Sequence, residues 1–340
     1  MKKFFLITGS AGFIGFHLSK KLLDKGFNVV GVDNINSYYD KSLKLNRLKL
    51  LKKYKNFIFF KIDITNQKKL TSVFKKYNFF KVFNLAAQAG VRYSLKKPEE
   101  YIKSNLLGFY NILQLCKDFS VKHFIYASSS SVYGASKKLP FSEKDHCSHP
   151  IQLYAATKLS NELMAHSYSS LFNIPTTGIR FFTVYGPWGR PDQALFIFTK
   201  KIIEGKKIPV FNFGNHSRDF TYIDDIVEGI LKVSSKIPKK NNNWNPKKPL
   251  PGSSKFPYKI FNIASNKKVK LMDYIKLIEK YLSKKAKIKK LPLQKGDVIN
   301  VSSNINKISN AFNYKPKTNV KIGVKNFIDW YLKYYNKWYK

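Results

Sequence analysis

The sequence is poor in several features that would decide its class. Its 340 residues hold two cysteines, Cys116 and Cys147, and neither has partners at metal-ligand spacing. A disulfide framework is therefore excluded, and two free thiols in a reducing compartment, the cytoplasm, are expected. No run of about 18 apolar residues occurs, so no segment is expected to span a membrane. The start, Met1-Lys2-Lys3-Phe4-Phe5-Leu6-Ile7, imitates a signal peptide. Its apolar run stops at Thr8-Gly9 without a small-residue cleavage site. Acidic residues are scarce as well: 20 Asp and Glu stand against 62 Lys and Arg, for a net charge of +42. That balance invites a nucleic-acid reading. Only five of the basic residues are arginine, however: Arg47, Arg92, Arg180, Arg190 and Arg218. The lysines are spread over the whole chain and form no focused basic stripe, so no nucleic-acid partner is expected. The excess charge instead favours encounter with a doubly anionic nucleotide.

The N-terminus carries a positive signal. The apolar run Phe4–Ile7 leads into Gly9-Ser10-Ala11-Gly12-Phe13-Ile14-Gly15, and a helix-period stretch follows. Glycines at this spacing permit a tight turn and let the backbone approach a pyrophosphate at a helix N-terminus. A second apolar run ends in Asp33, eighteen residues after Gly15. A carboxylate there accepts from both ribose hydroxyls of an adenosine and repels a 2′-phosphate, which favours NAD over NADP.

Tyr154 and Lys158 are four residues apart, on one face of an expected helix. A phenol titrates near ~10 and is a poor base at neutral pH. A neighbouring ammonium is expected to lower that value. A serine from the run Ser128-Ser129-Ser130-Ser131 can complete a proton path to a sugar hydroxyl.

Together these segments resemble the extended short-chain dehydrogenase/reductase family, in particular its nucleotide-sugar epimerases and dehydratases. Four further stretches carry the resemblance: Asn84 to Ser94, Ala127 to Gly134, Arg180 to Asp192 and Arg218 to Asp225. Ala89-Gly90-Val91-Arg92, the serine run before Val132-Tyr133-Gly134, and Tyr185-Gly186-Pro187-Trp188-Gly189-Arg190-Pro191-Asp192 are similar to the UDP-glucuronate 4-epimerase subfamily.

The resemblance implies an NAD-dependent isomerase that inverts C4 of UDP-glucuronate, giving UDP-galacturonate through a 4-keto sugar. It implies Ser129, Tyr154 and Lys158 as catalytic residues. Around NAD it implies Gly9, Gly12, Phe13, Ile14, Gly15, Asp33, Asp63, Ile64, Leu85, Ala86, Ala87, Gln88 and Asn105, with Tyr154 and Lys158. Around the sugar it implies Arg92, Ser129, Ser130, Ser131, Thr183, Arg190 and Arg218. Ser130 and Ser131 are neutral where related dehydratases and decarboxylases carry acids, so no acid for elimination is available there. Arg190 can grip a hexuronate carboxylate, with Thr183 adding a bond. Gln294-Lys295-Gly296-Asp297 departs from family members that carry a second phosphate-binding arginine before Gly-Asp.

Local alternatives stay open. Asp63 fits an adenine contact or a helix N-cap. Asn105 fits a position near the cofactor, its supporting strand or the bare surface. Arg190 fits a turn cap, the serines fit satisfaction of strand-end backbone groups, and Arg47, outside the motifs, is read as incidental. Another UDP-sugar (UDP-glucose or UDP-N-acetylglucosamine) or a silent NAD-binding sensor are the alternative functions. An intact Ser129, Tyr154 and Lys158 set argues against the sensor.

The fold class expected is α/β. Apolar runs at Phe4–Ile7, Val29–Val32, Phe57–Phe60, Val82–Leu85, Phe124–Ala127 and Thr176–Phe181 alternate with helical patterns at His17–Leu23, Tyr101–Leu115 and Tyr154–Leu171. Such alternation predicts a doubly wound parallel, Rossmann-like sheet. An NAD-binding domain is expected over 1–180 and a smaller, discontinuous C-terminal substrate domain over 181–340. Segments 219–235 and 258–266 return to the first. Asn241–Ser254 reads as a loop, and Leu271–Lys280 and Asn319–Tyr335 as helices. Family members pair through two helices per subunit, so a homodimer through 101–117 and 153–171 is expected.

Overall fold

The computed structural model describes residues 3–335. Met1 and Lys2 of the signal-like start, and 336–340 of the expected substrate domain, lie outside the described residues. In chain order the strands are β1 (Phe4–Thr8), β2 (Asn28–Asp33), β3 (Phe57–Lys61), β4 (Phe79–Asn84), β5 (His123–Ser129), β6 (Thr176–Phe181), β7 (Thr183–Tyr185), β8 (Ile208–Val210), β9 (Ser217–Tyr222), β10 (Tyr258–Ile263), β11 (Lys268–Lys270) and β12 (Ile288–Lys290).

Seven of them form one parallel sheet in the order β10-β6-β5-β4-β1-β2-β3. Side chains alternate along each strand, and the alternation divides the interior in two. Phe5, Ile7, Val29 and Ile125 enter the core shared with the helices Phe13–Asp24 and Ile223–Ser235. Leu6, Val30, Phe124 and Tyr126 enter the other core, against Gln67–Lys76 and Gly108–Asp118. Both faces are thus covered, which is why the strands read as nearly continuous apolar runs. Strand order reverses between β1 and β4. The crevice outside the carboxyl ends of those strands is where such sheets bind ligands.

All six expected strand runs fall in or across observed strands, and β10 pairs β6 in parallel. The Asn241–Ser254 segment has no helix or strand. The helix expected over Tyr101–Leu115 is interrupted: Ile102–Leu107 is π-helical before Gly108–Asp118 resumes the α form. Its widened turn leaves the Asn105 carbonyl to accept from Asn161 Nδ2 at 2.6 Å. The helix Lys41–Leu51 had no sequence expectation, and Gln67–Lys76 is the helix that the N-cap reading of Asp63 implied. The C-terminal part adds a three-stranded sheet, β11-β9-β7, and the pair β12-β8. Among the described residues no helix is long and apolar enough to cross a membrane.

Candidate active site

A single cleft runs along the carboxyl ends of β1, β2, β4 and β5. Gly9, Gly12, Phe13, Ile14 and Gly15 line its floor. Gly9 has φ +72°, and a Cβ there would meet Ala86 N at 2.8 Å; a Cβ on Gly15 would lie 2.0 Å from Gly9 O. No other residue fits either position. The helix Phe13–Asp24 starts at Gly12 with no acidic side chain in its first turn. Its N-terminus is therefore a site for a diphosphate.

Asp33 ends β2 and is 8% exposed. Its oxygens accept from Ala11 N at 3.1 Å and Ile35 N at 2.8 Å. Each oxygen retains acceptor capacity for a ribose hydroxyl. Burial pushes its carboxyl up, and the bond from Ile35 and the Lys44 charge only partly pull it back. Ile35, a β-branched residue, sits at φ +51°, a local strain beside the cleft. Asp63 and Ile64 line the same end. Asp63 Oδ1 accepts from Thr65 N at 2.9 Å, and Oδ2 from Asn34 Nδ2 at 2.6 Å. Burial would raise the Asp63 carboxyl, but the bonds from Thr65 and Asn34 leave it below its ordinary value. It is no helix cap: the following helix is capped by Asn66, which accepts from Lys69 N at 3.0 Å. A bare glycine cradle and a buried carboxylate with spare acceptor capacity fit a dinucleotide.

Leu85, Ala86, Ala87 and Gln88 line the cleft after β4. Asn105 does not line it, contrary to the cofactor contact expected of it. Its amide accepts from Gln88 N at 2.8 Å and donates to Gln88 O at 3.0 Å and Thr157 Oγ1 at 3.1 Å. With both ends of the amide spent, Asn105 braces Gln88.

Ser129, Tyr154 and Lys158 all line the cleft. Ser129 Oγ donates to Ser131 Oγ at 3.0 Å and accepts from Ser131 N at 3.2 Å. It therefore caps the strand end and also faces Tyr154. Burial pushes the Tyr154 phenol up; the hydrogen bond with Ser129 and the charge of Arg190 act the other way. Lys158, the ammonium expected to lower that phenol, has its hydrogen bond elsewhere. Its Nζ is buried and donates to Ala127 O at 2.9 Å, and burial lowers it to about 8. Behind the strand end, Ser128 Oγ donates to Glu162 Oε1 at 2.5 Å. Glu162 in turn accepts from Arg180 Nε at 2.9 Å and Nη2 at 2.7 Å.

The sugar side is assembled from remote segments. Arg190 lines the cleft, with its fork on Asp192: Nε to Oδ1 at 3.0 Å and Nη2 to Oδ2 at 2.7 Å. Thr183, Ser130 and Ser131 are half-buried and do not line the cleft; Phe182 and Val184, on either side of Thr183, do. Arg92 and Arg218 lie elsewhere, near Asp297, but only Arg92 pairs with it. Arg92 Nη2 is 3.4 Å from Asp297 Oδ2. Arg218 donates to Ser217 O at 3.0 Å and Ile299 O at 2.8 Å. Burial lowers Arg218, Asp297 raises it and Arg92 lowers it further. Lys295 is exposed.

Sequence reasoning missed Asn34, Asn36, Tyr38, Lys44 and Gln193, which all line the cleft. The asparagines after Asp33 were the available signal, since Asn at this density marks a structured turn. Arg47 is not incidental. It is fully buried, and it donates to Ala11 O at 2.8 Å, Tyr39 Oη at 2.7 Å and Trp188 O at 2.5 Å. One guanidinium thus ties the glycine turn to the turn that carries Arg190.

The model of the NAD dependent epimerase/dehydratase family matches residues 5–245. Protein CapI of Staphylococcus aureus is 53% identical over 332 residues, 98% of this chain and 99% of that protein. A probable UDP-glucuronate 4-epimerase of Rhizobium meliloti is 43% identical over 334 residues, 98% of each. The crystal structure of UDP-glucuronic acid 4-epimerase from Bacillus cereus, in complex with UDP-glucuronic acid and NAD, is similar with a TM-score of 0.87. That similarity comes at 30% identity and covers 98% of this chain and 100% of the other.

Proposed function

The chain belongs to the NAD dependent epimerase/dehydratase family, and on that premise we propose that it is a UDP-glucuronate 4-epimerase working with NAD. The observation that carries the reading is a shared cleft. A tyrosine, a serine and an arginine line the same space. A base and a carboxylate receptor side by side suit a hexuronate.

NAD, when bound, supplies the acceptor and then the donor of the C4 hydride, so no net redox change occurs. Gly9, Gly12, Phe13, Ile14 and Gly15 cradle its diphosphate, and Asp33 takes the adenosine ribose. Asp63 and Ile64 flank the adenine, and Leu85 to Gln88 the middle of the molecule. Lys158 donates to the ribose beside the nicotinamide. Tyr154 takes the proton of the C4 hydroxyl, through or beside Ser129, and later returns it. Arg190 holds the sugar carboxylate, with Thr183, Ser130 and Ser131 at the edge of that subsite. Arg92, paired with Asp297, and Arg218, held on Ser217 O and Ile299 O, take the UDP diphosphate. Residues 1–180, with 219–235 and 258–266, act as the cofactor domain and the remainder as the substrate domain.

A homodimer is part of the same proposal. Leu107, Tyr110, Leu163 and Leu171 are exposed apolar residues on the two helical stretches expected to pair. Light scattering at twice the monomer mass supports it, and a monomer refutes it. A cytoplasmic location fits two buried free thiols. The function itself is tested by incubating the protein with UDP-glucuronate and NAD and following the anomeric protons by NMR. UDP-galacturonate is expected. Turnover of UDP-glucose alone overturns the hexuronate assignment.

A further inference from the structure

A guanidinium can bind a carboxylate along its Nε–Nη2 side or across its Nη1–Nη2 end. In Arg190 the side is taken by Asp192, and no bond of Nη1 is found among the described residues. Arg190 lines the cleft, and the side chains of the pair are 23% and 28% exposed. Asp192 is itself held, because Tyr38 Oη donates to its Oδ2 at 3.0 Å. Tyr38 leans on the Tyr93 ring, 4.7 Å between centroids, and a Cβ on Gly90 would lie 2.6 Å from its hydroxyl. Tyr38 comes from the segment after β2, so the chain Tyr38–Asp192–Arg190 reaches from the cofactor side of the cleft to the sugar side.

We propose that Asp192 is a positioning residue that holds Arg190 by its side, so that the end of the guanidinium meets the substrate carboxylate. The inference rests on the hexuronate reading and deepens it. A free arginine carries several rotatable bonds, and fixing them on binding costs affinity. Asp192 removes that cost beforehand. It also compensates a cation that would otherwise stand partly desolvated beside Tyr154. A rival arrangement is possible in principle, with Asp192 occupying the place of the substrate carboxylate and leaving when substrate arrives. The two arrangements predict opposite signs.

The experiment uses the NAD-loaded enzyme and calorimetric titration with UDP-glucuronate and, separately, with UDP. Asp192→Asn keeps the shape and removes the charge; Asp192→Glu keeps the charge. Asp192→Asn is expected to weaken UDP-glucuronate by about tenfold, the scale of one charge-assisted bond, and to leave UDP unchanged. Asp192→Glu is expected to recover part of the loss. Tyr38→Phe, which leaves the ion pair but frees Asp192, is expected to weaken UDP-glucuronate in the same direction by less. Tighter binding in Asp192→Asn overturns the proposal in favour of displacement, and unchanged binding of UDP-glucuronate overturns it outright. Weakening of UDP by the same factor also overturns it, because the effect is then a general disturbance. Arg190→Ala separates the two levels. If Arg190→Ala binds UDP-glucuronate normally, the hexuronate reading fails; if it binds weakly while Asp192→Asn is normal, only the positioning role fails.

Discussion

On the dinucleotide side of the cleft, Asp33 and Lys158 are buried, Asp63 is half-buried, and each is bonded to the protein. Asp33 accepts two backbone N–H groups, Asp63 accepts from Thr65 and Asn34, and Lys158 is anchored on Ala127 O. On the sugar side, the arginines are partly exposed and held along one edge. Arg190 rests on Asp192, Arg92 on Asp297, and Arg218 on two backbone carbonyls. The proposed chemistry asks for this inequality. The 4-keto sugar has to turn over between the two hydride transfers while the nicotinamide stays still. A rigid half suits the cofactor, which must stay in place through a turnover, and an adjustable half suits the sugar, which moves.

The sharpest way to break the contrast is at the one group that serves both halves. Tyr154→Phe removes the base and keeps the ring. Turnover is expected to fall by at least ~100-fold, the scale of a general-base contribution. NAD should remain bound, since its cradle is made by other residues. A variant with more than a tenth of normal activity would remove Tyr154 from the proton path.

Arg190→Ala strikes the adjustable half alone. UDP-glucuronate affinity is expected to drop by roughly 1.5–3 kcal/mol, the range for hydrogen bonds to charged groups. A second effect follows from the sugar. A 4-keto hexuronate is a β-keto acid: its C5–C6 bond can break, with the electron pair passing into the ketone as an enolate and CO₂ leaving. Solvent then protonates C5. The bond breaks most readily when it stands perpendicular to the ketone plane, a geometry that a two-bond grip opposes. CO₂ released per turnover should therefore rise in Arg190→Ala. Wild-type levels of both affinity and CO₂ would make Arg190 structural.

Asp33→Asn probes the rigid half. NAD affinity is expected to fall by about tenfold, as one charge-assisted bond to the ribose weakens. Discrimination against NADP should relax, because the repelling charge is gone. Denaturing the wild-type protein and identifying the nucleotide released checks the premise: mainly NADP would show that Asp33 does not face the ribose.

The same contrast explains what could be read in advance. The rigid half is made of contiguous motifs, where strand, glycine turn, helix and carboxylate follow one another and local rules suffice. The adjustable half depends on pairings between distant segments, such as Tyr38 with Asp192 and Arg92 with Asp297. No local period announces these. The helix Lys41–Leu51 was missed for a related reason. Its buried positions are Leu43, Lys44, Arg47, Leu48 and Leu51, so two charged residues sit inside the apolar stripe and blur it. Arg47 shows the cost: arginine is scarce in the sequence, yet the burial of this one does not follow without knowing which carbonyls it meets. The expectation that Lys158 lowers the Tyr154 phenol rests on spacing alone. Helical spacing puts the two on one face but does not say where the ammonium points, and it points to Ala127 O.

Lys158 gives the smallest effect and the most discriminating one, because two observables should move in opposite directions with pH. Burial lowers the ammonium from 10.5 to about 8. In the ligand-free protein that burial is a cost. The folded state sheds the proton before the unfolded chain does, so the cost is fully present below pH 8 and is relieved as pH rises from about 8 toward 10.5. Stability from this group therefore rises across that window. NAD brings ribose hydroxyls that accept from the ammonium, so it binds the protonated form better and raises its pKa. By linkage, NAD affinity is flat below pH 8 and falls as pH rises through it. The loss is expected to be several-fold over the first pH unit, bounded by a factor of ~10 per unit for a single proton. Lys307 is also lowered to about 8 by burial and lies outside the cleft, so its titration adds to stability but not to NAD binding. Lys158→Met removes the first contribution and keeps the second. Measured as a difference from that variant, melting of the ligand-free protein should gain stability above pH 8 while NAD titrations lose affinity. An NAD affinity that stays level from pH 7 to 10 would mean that Lys158 does not donate to the cofactor and serves Ala127 and the strand end alone.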